Sequence, residues 1–223
     1  MYASYMKNEI KLVSFDFDGT FIKENCWMVF NQACGIDPQI DKDYYRQYHA
    51  GEITYEEWIQ GLVTIWKQKG LVTRDIGASV GDQLTLQDGM IEVLEYLRDQ
   101  GYRVVVTTGG IDIVLRPFLE KFGIFDIIFT HESIFENDTF VSFINHAQAD
   151  HMFEAGACKF SVFKQFLDKE GIAPKECAHI GDGANDMHIF SAVAEPFYFD
   201  PGATAGEVPY TRITDMNELK NYL

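Results

Sequence analysis

The sequence predicts an α/β fold: a Rossmann-like parallel sheet with a helical insertion near its start. Apolar, partly β-branched runs that are typical of buried strands occur at residues 11–15, 102–107 and 177–180. Segments with helical spacing separate these runs, and residues 21–86 are helical in pattern throughout, with few β-branched runs. Because strands that alternate with helices form parallel sheets with right-handed crossovers, we expect the strand ends to converge on one edge.

The composition limits the classes of protein and partner. A chain of 223 residues with 47% hydrophobic content can bury a large core, and its length suits one large domain or a core with an insertion. Thirty-four acidic residues against eighteen basic ones give a formal net charge of −16. Such a charge repels phosphate backbones and anionic lipid surfaces, so we expect neither a nucleic-acid nor a membrane partner.

The chain carries no sign of export or of a disulfide framework. Residues 1–7 lack the apolar region of a signal peptide, and no apolar run is long enough to span a bilayer, which predicts a cytoplasmic protein. The cysteines are scattered without a C-x-x-C pair, so we expect reduced thiols and no zinc cluster; they are Cys26, Cys34, Cys158 and Cys177.

The first predicted strand ends in two carboxylates. Residues 11–20 read KLVSFDFDGT, so Asp16 and Asp18 follow an apolar run and point to the same side of an extended chain. Two close carboxylates repel each other unless a cation lies between them or one of them holds a proton. The alternative is an Asp-rich turn between a strand and a helix, because Asp and Gly are common turn residues.

The insertion contains two aromatic groups. A helix preceded by Thr54 as its N-cap presents one apolar face, formed by Tyr55, Trp58, Ile59, Leu62, Val63 and Trp66. That face is typical of helix packing. A second group lines a pocket or covers the first helix; its members are Tyr44, Tyr45, Tyr48 and His49.

The remaining elements alternate. We predict helices at residues 89–98, 111–122, 160–169 and 215–223, with Pro117 kinking the second of them or marking a late start. The predicted strands after the insertion are residues 102–107, 126–130, 177–180 and 196–199. A hairpin is expected over residues 134–145, around the turn Asn137-Asp138.

Polar groups follow three of these strands. The first end carries Asp16 and Asp18, and the last carries the segment 182–186; carboxylates are the oxygen ligands that Mg²⁺ prefers. The middle end, Thr108-Gly109-Gly110, offers a hydroxyl and two backbone N–H groups at a helix start, which is favourable for phosphate. Lys159 lies at the start of the predicted helix that precedes the strand at 177–180. It could reach back to a carboxylate and a phosphate, and the alternative is a solvated lysine at a helix end.

These four segments resemble the motifs of the haloacid dehalogenase superfamily, and the likeness is closest to its phosphoserine phosphatase-like branch. They are Asp-Phe-Asp-Gly-Thr, a strand ending in Thr-Gly-Gly, a separate lysine, and Gly-Asp-Gly-Ala-Asn-Asp. The resemblance spans the chain from about residue 10 to its end. It implies a core formed by residues 1–20 and 87–223, with residues 21–86 as a helical cap.

The resemblance also implies a role for each residue. Asp16 would be the nucleophile that becomes an aspartyl phosphate, and Asp18 the general acid and then the base. Mg²⁺ would bind the Asp16 carboxylate, the Asp18 backbone carbonyl and the Asp182 carboxylate. The phosphoryl group would be held by Thr108, Gly109, Gly110, Lys159 and Asn185, with Asp186 orienting Lys159 or metal-bound water.

The same resemblance bears on the substrate, a small-molecule phosphate ester. Dehalogenases lack a second acid at the position of Asp18, and P-type ATPases have Thr there, so Asp18 favours ester hydrolysis. Phosphoserine phosphatases carry a cap glutamate nine residues after the nucleophile and a cap arginine. Here that position is Asn25, with Glu24 one place early, and the only arginines in the cap are Arg46 and Arg74. We therefore expect L-phosphoserine to be a poor substrate and the leaving group to be apolar or sugar-like.

Two other functions stay open from the sequence. One is a phospho-receiver module, which the long insertion and the spacing of Asp16 and Asp18 disfavour. The other is a family member that binds a phosphometabolite without turnover, which the intact set of motif residues disfavours.

Overall fold

A six-stranded sheet, parallel throughout, forms the centre of the protein in the computed structural model, which describes residues 9–70, 72–147, 152–153, 156–201 and 210–223. Its strands are β1 (Leu12–Phe15), β2 (Arg103–Thr108), β3 (Ile127–Phe129), β8 (Cys177–Gly181), β9 (Glu195–Phe199) and β10 (Thr211–Ile213). Their spatial order, β10-β9-β8-β1-β2-β3, places the first strand in the middle. The predicted α/β class with a parallel sheet is confirmed.

The strand register brings three strand ends to one level. Every residue of β1 is buried, as expected for a central strand covered on both faces. Phe15 at its end lies opposite Val106 of β2 and Ile180 of β8. The residues that follow these three positions therefore meet at the same edge of the sheet.

Helices cover the sheet, and three of them lie where the spacing predicts them: α5 (Met90–Asp99), α6 (Asp112–Glu120) and α7 (Lys159–Glu170). A fourth, α8 (Met187–Ala192), was not predicted. Helix α6 continues through Pro117, which cannot donate a hydrogen bond to the Ile113 carbonyl. A glycine of the insertion, Gly77, lies against that carbonyl, and a Cβ there would overlap it.

The end of the chain differs from the prediction. The expected helix over residues 215–223 is a 3-10 helix, Met216–Asn221, because Asp215 and Glu218 hydrogen-bond to backbone N–H groups around its start and favour a tight turn. Strand β10 was not predicted, since three residues are too few to show alternation.

The insertion is helical, as predicted. Its helices are α1 (Cys26–Ala33), α2 (Pro38–His49), α3 (Tyr55–Lys69) and α4 (Arg74–Gly81). Thr54 caps α3 through a reciprocal pair of hydrogen bonds with Glu57. The segments that enter and leave the insertion lie side by side, joined by a bridge between Ile22 and Leu86. The boundaries 21 and 86 stay a prediction.

A hairpin extends beside the insertion. It consists of β4 (His131–Glu136) and β5 (Thr139–Asn145), so the predicted hairpin is confirmed and begins earlier than expected. Asn137 and Asp138 form its two-residue turn with φ of 48° and 63°. A second, short pair is β6 (Met152–Phe153) with β7 (Gly156–Ala157). Within the described ranges, no helix has the length and apolar character needed to cross a bilayer.

Candidate active site

A buried lysine joins two carboxylates at the edge of the sheet. Asp16 directly follows β1, and Asp186 ends a short 3-10 helix, Ala184–Asp186, after β8. Lys159 Nζ, at the first position of α7, lies 2.5 Å from Asp16 Oδ1 and 2.9 Å from Asp186 Oδ1. Only 1% of the lysine is exposed. The solvated alternative for Lys159 is therefore wrong. We call these residues the carboxylate–lysine cluster.

The charges of this cluster depend on each other. Burial lowers the pKa of Lys159, but the two carboxylates outweigh burial and raise it, so the ammonium stays charged. Burial acts to raise the pKa of Asp186, yet Lys159 and His179 lower it to about 2. The pKa of Asp16 is raised well above its usual value, first by burial and then by the charges of Asp186 and Asp182.

A chain of hydrogen bonds supports Asp186 from inside the sheet. His179 Nε2 lies 3.1 Å from Asp186 Oδ1, and His179 Nδ1 lies 3.0 Å from Ser14 Oγ. Ser14 Oγ in turn lies 2.9 Å from Thr107 Oγ1. Burial lowers the pKa of His179, which keeps the ring neutral. Since Asp186 is ionised, Nε2–H donates to it and Nδ1 accepts from the Ser14 hydroxyl.

Asp18 occupies a different environment although it is only two residues from Asp16. Its Oδ1 accepts a hydrogen bond from the Cys26 backbone N–H at 2.6 Å, and its Oδ2 accepts from the Cys26 thiol at 3.3 Å. Burial raises the pKa of Asp18 to about 6, against the opposing effect of these bonds. The two carboxylates therefore differ in partners: Asp16 contacts an ammonium and Asp18 contacts the start of α1.

The segment after β8 brings Asp182 beside the segment that follows β1. Gly19 has a φ of 75°, and a Cβ at this position would overlap the Asp182 carboxylate. Glycine therefore permits both the turn after Asp18 and the approach of Asp182. One oxygen each from Asp16, Asp182 and Asp186 lie within 4.8 Å of one another.

The donor set at this point suits a divalent cation. Burial, followed by the charge of Asp186, raises the pKa of Asp182, as it does for Asp16. A hard cation would relieve this crowding of carboxylates. Both oxygens of Asp186 accept hydrogen bonds, from Lys159, His179 and the Gly183 N–H, so Asp16 and Asp182 are the carboxylates better suited to hold a metal.

The strand end at residues 108–110 is more closed than predicted. The Thr108 hydroxyl oxygen accepts a hydrogen bond from the Gly110 N–H at 2.8 Å, and Thr108 is 1% exposed. The Gly110 N–H, which we expected to face an anion, is therefore occupied. Gly109 does line the cavity at this edge, and its carbonyl accepts a bond from Trp27 Nε1 at 2.9 Å. The Thr108 proton stays available for donation.

A cavity of about 350 Å³ lies between the sheet edge and the insertion. Six predicted site residues line it, namely Asp16, Asp18, Gly109, Lys159, Asp182 and Asn185. Thr130 lines it as well, and its Oγ1 lies 3.0 Å from His131 Nδ1. Sequence reasoning missed Thr130, although it ends a predicted strand whose neighbours already carried polar ends.

The insertion forms the opposite wall. Tyr45, Tyr48 and His49 line the cavity, whereas Tyr44 packs against Gly61 of α3, so the second aromatic group divides between pocket and packing.

Charged groups expected for a zwitterionic substrate lie elsewhere. The Glu24 carboxylate accepts a bond from the Thr85 N–H at 2.8 Å, and Arg46 pairs with Glu52. The Arg74 side chain lies outside the described part of the structure. Among the described residues, His49 and Lys159 are the basic side chains that line the cavity.

Comparisons with known proteins identify the family of this chain. The sequence model of one protein family, described as haloacid dehalogenase-like hydrolase, matches residues 10–193. A Methanocaldococcus jannaschii protein named "Phosphoserine phosphatase" is 25% identical over 189 residues, which are 83% of this chain and 83% of that protein. A human protein named "Pyridoxal phosphate phosphatase PHOSPHO2" is 24% identical over 190 residues, which are 79% of this chain and 75% of the relative.

A solved structure shares the fold. It is described as "Phospho-Aspartyl Intermediate Analogue of Phosphoserine phosphatase" and superposes with a TM-score of 0.72 at 20% identity. The superposition covers 96% of this chain and 99% of the other.

Proposed function

Given that this chain belongs to the haloacid dehalogenase-like hydrolase family, we propose that it hydrolyses phosphate monoesters through an aspartyl-phosphate intermediate on Asp16. Its phosphatase relatives and the cluster of motif residues at one sheet edge support a phosphoric monoester hydrolase. The single observation that carries the proposal is the pairing of Lys159 with Asp16 beside a second, differently held carboxylate, Asp18.

Asp16 acts as the nucleophile. Its Oδ1 is held by the Lys159 ammonium and accepts from the Phe17 N–H at 2.6 Å, which fixes the carboxylate for attack on phosphorus. The Lys159 charge stays in place, since two carboxylates raise its pKa, and stabilises the negative charge of the transferring phosphoryl group. The Gly109 and Asn185 positions complete the phosphate side of the cavity.

Asp18 acts as the proton carrier. Its raised pKa, about 6, lets the carboxyl hold a proton that it gives to the leaving oxygen. The resulting carboxylate then accepts a proton from the water that hydrolyses the aspartyl phosphate. The bonds from Cys26 N–H and Sγ orient the group for both steps.

Mg²⁺ is the proposed cofactor. Asp16 and Asp182 would hold it, with the Asp18 carbonyl as the ligand that the family resemblance adds. When bound, it would neutralise charge on the carboxylates and the phosphate oxygens. Asp186 would act through Lys159, which it contacts directly.

The proposed substrate is a small ester with an apolar or sugar-like leaving group, and L-phosphoserine is proposed to be a poor substrate. Aromatic side chains dominate the insertion side of the cavity, including Tyr45, Tyr48 and Trp58. Neither Glu24 nor Arg46 lines it, so neither of these side chains can pair there with the charged groups of a zwitterion.

The test is phosphate release from a panel of phosphometabolites with and without Mg²⁺, with wild type and Asp16→Asn compared. We expect Mg²⁺-dependent turnover that falls roughly a thousandfold or more in Asp16→Asn, together with loss of acid-stable phosphoenzyme. Asp168→Asn, an exposed site on α7, is the control for folding and charge.

Two results would contradict the proposal. Full activity in Asp16→Asn would remove the nucleophile assignment. Binding of phosphate esters without turnover of any of them would favour the alternative of a phosphometabolite-binding member.

A further inference from the structure

A second cavity lies within the insertion, next to the active-site cavity. Its volume is about 390 Å³, and residues of α1, α2 and α3 line it. The two cavities share the lining residues Asn25, Trp27, Tyr45, Tyr55 and Trp58. A ligand whose phosphate lies at Asp16 could therefore extend between these residues into the second cavity, which we call the cap chamber.

Asn31 places an unsatisfied donor in the wall of the cap chamber. Its Oδ1 accepts a hydrogen bond from the Trp66 indole N–H at 2.9 Å. Because the indole can only donate, this bond fixes which end of the amide faces Trp66. The other end, Nδ2, is buried and has no hydrogen-bond partner, although Asn31 is only 2% exposed. A buried amide N–H without an acceptor is unfavourable by an amount comparable to a lost hydrogen bond.

Trp58 and Asp41 contribute to the same wall. The Trp58 indole Nε1 is also buried without a partner. Burial raises the pKa of Asp41, and hydrogen bonding from the side chains of Asn31 and Trp58 opposes this rise, so both donors lie near its carboxylate. Neither donor forms a hydrogen bond of good geometry with that carboxylate. The cap chamber is thus lined by two donors without a well-formed bond and by one acceptor beside them.

The chemistry of these three groups selects the ligand. A ligand group that completes the bonding of these three side chains must accept from the N–H groups and donate to the carboxylate, which a hydroxyl does. An ammonium cannot accept from either N–H, and Lys42 also lines the chamber and would repel it. An anion would be repelled by Asp41. The remaining walls, which include Tyr45, Trp58 and Leu62, are aromatic or aliphatic and suit the faces of a ring.

We propose that the cap chamber binds a hydroxyl-bearing ring, with the hydroxyl held between Asn31 Nδ2, Trp58 Nε1 and the Asp41 carboxylate. This inference rests on the proposed function, since the ring is the leaving group of the phosphate ester whose phosphoryl group reacts at Asp16. A built hydroxyl site rejects an analogue without the hydroxyl, because its buried polar groups are then left unpaired.

The experiment uses matched pairs of ligands and the whole chain. Benzyl phosphate is compared with its 2-, 3- and 4-hydroxy derivatives in kcat/KM. The corresponding benzyl alcohols are titrated separately and followed by ligand NMR, which needs no turnover. We expect at least one hydroxylated isomer to exceed the parent roughly tenfold in kcat/KM and in affinity of the alcohol.

Variants assign the preference to the chamber. Asp41→Ala and Trp58→Phe should bring the ratio between hydroxylated and parent ligand close to one. Asp43→Ala, on the exposed side of the same helix, removes a carboxylate that pairs with Gln39 and should keep the wild-type ratio. If Asp41→Ala does not fold, Trp58→Phe still tests the site, because it keeps an aromatic ring and deletes only the donor and the second ring.

The outcomes separate the two proposals. Equal kcat/KM and equal affinity for every hydroxylated and parent ligand would overturn the hydroxyl site and leave the phosphatase function standing. A hydroxyl preference that Asp41→Ala and Asp43→Ala both retain would also overturn it. Preferential binding of a hydroxylated alcohol, lost in Asp41→Ala, supports the site even if no ester is hydrolysed, and in that case only the proposed function fails.

Discussion

The carboxylate–lysine cluster and the cap chamber contain similar polar groups but satisfy them to different degrees. In the cluster, Lys159 has two carboxylate partners, and His179 bonds to Asp186 and Ser14 on its two nitrogens. In the chamber, Asn31 Nδ2 and Trp58 Nε1 have no partner. A complete network holds catalytic atoms in position before the substrate arrives, whereas an incomplete one leaves hydrogen bonds for the ligand to make.

This difference predicts that the cluster determines rate and the chamber determines selectivity. The changes below test that division, beginning with the one expected to have the largest effect.

Lys159→Met should break the cluster most severely. It leaves Asp16 and Asp186 buried without their ammonium, so we expect kcat to fall roughly a thousandfold and the free energy of unfolding to fall by about 3 kcal/mol. Phosphate release and urea unfolding measure the two effects. Lys164→Met, which removes an exposed lysine paired with Asp168 on the same helix, is the matched control and should change neither by much.

The stability of Lys159→Met relative to wild type should depend on pH with a definite sign. In the wild type the pKa of Asp186 is about 2, so its stabilisation is present above the ordinary value of 3.8 and is lost as the pH falls towards 2. Without Lys159, the pKa values of Asp16 and Asp186 rise, and the folded variant takes up protons more readily than the unfolded chain. The stability gap to wild type should therefore narrow from about pH 8 to about pH 5. A gap that widens on acidification would contradict the ion-pair assignment.

Asp18→Asn should separate proton transfer from phosphoryl transfer. We expect kcat for benzyl phosphate to fall roughly a hundredfold, because the amide cannot protonate the leaving alkoxide. Formation of phosphoenzyme from 4-nitrophenyl phosphate should fall less, since that leaving group needs little protonation. Burst kinetics with the two esters measure this difference. An equal loss of the burst rate with both would remove Asp18 from the role of general acid.

Comparing kcat/KM for L-phosphoserine and benzyl phosphate tests how the insertion selects substrates, while the carboxylate–lysine cluster stays unchanged. We expect kcat/KM for L-phosphoserine to be lower by roughly tenfold or more, because the cavity offers aromatic walls and neither Glu24 nor Arg46. Steady-state kinetics with both esters give the ratio. Efficient, saturable turnover of L-phosphoserine would show that other groups bind the zwitterion.

His179→Gln should have the smallest effect. The amide can still donate to Asp186 but lacks a second nitrogen to accept from Ser14, so the support for Asp186 weakens while the ion pair with Lys159 is kept. We expect kcat to fall a few-fold with KM unchanged, and about 1 kcal/mol of stability to be lost. An altered KM with an unchanged kcat would show that His179 does not position the carboxylate–lysine cluster.

Much of the active site could be predicted because its residues follow strands. The runs before Asp16 and Asp182 are apolar enough to identify as buried strands, and parallel strands end at a common edge. Thr130 escaped the prediction although it follows the same rule, because Ile127–Phe129 is a short strand at the side of the sheet. The state of the Gly110 N–H could not be predicted either, since a local bond from the Thr108 side chain decides it.

The cap chamber could not be predicted in the same way. Helical spacing identified α3 and its apolar face, but Trp58 and Trp66 both belong to that face. Spacing does not distinguish Trp66, whose indole N–H bonds to Asn31, from Trp58, whose indole N–H is left unpaired. Nor does it show that Tyr45 lines a cavity while its neighbour Tyr44 packs on Gly61.

Sequence patterns were enough to predict the sheet, the helical insertion and the acidic strand ends, because hydrophobic periodicity and turn residues act over a few neighbours along the chain. The burial of Lys159 between Asp16 and Asp186, and the position of Asn31, Asp41 and Trp58 around one cavity, depend on the tertiary structure. These groups come from separate helices and strands. Their partners depend on how the elements pack, and hydrogen bonding in a buried site is settled by distances of a few tenths of an ångström.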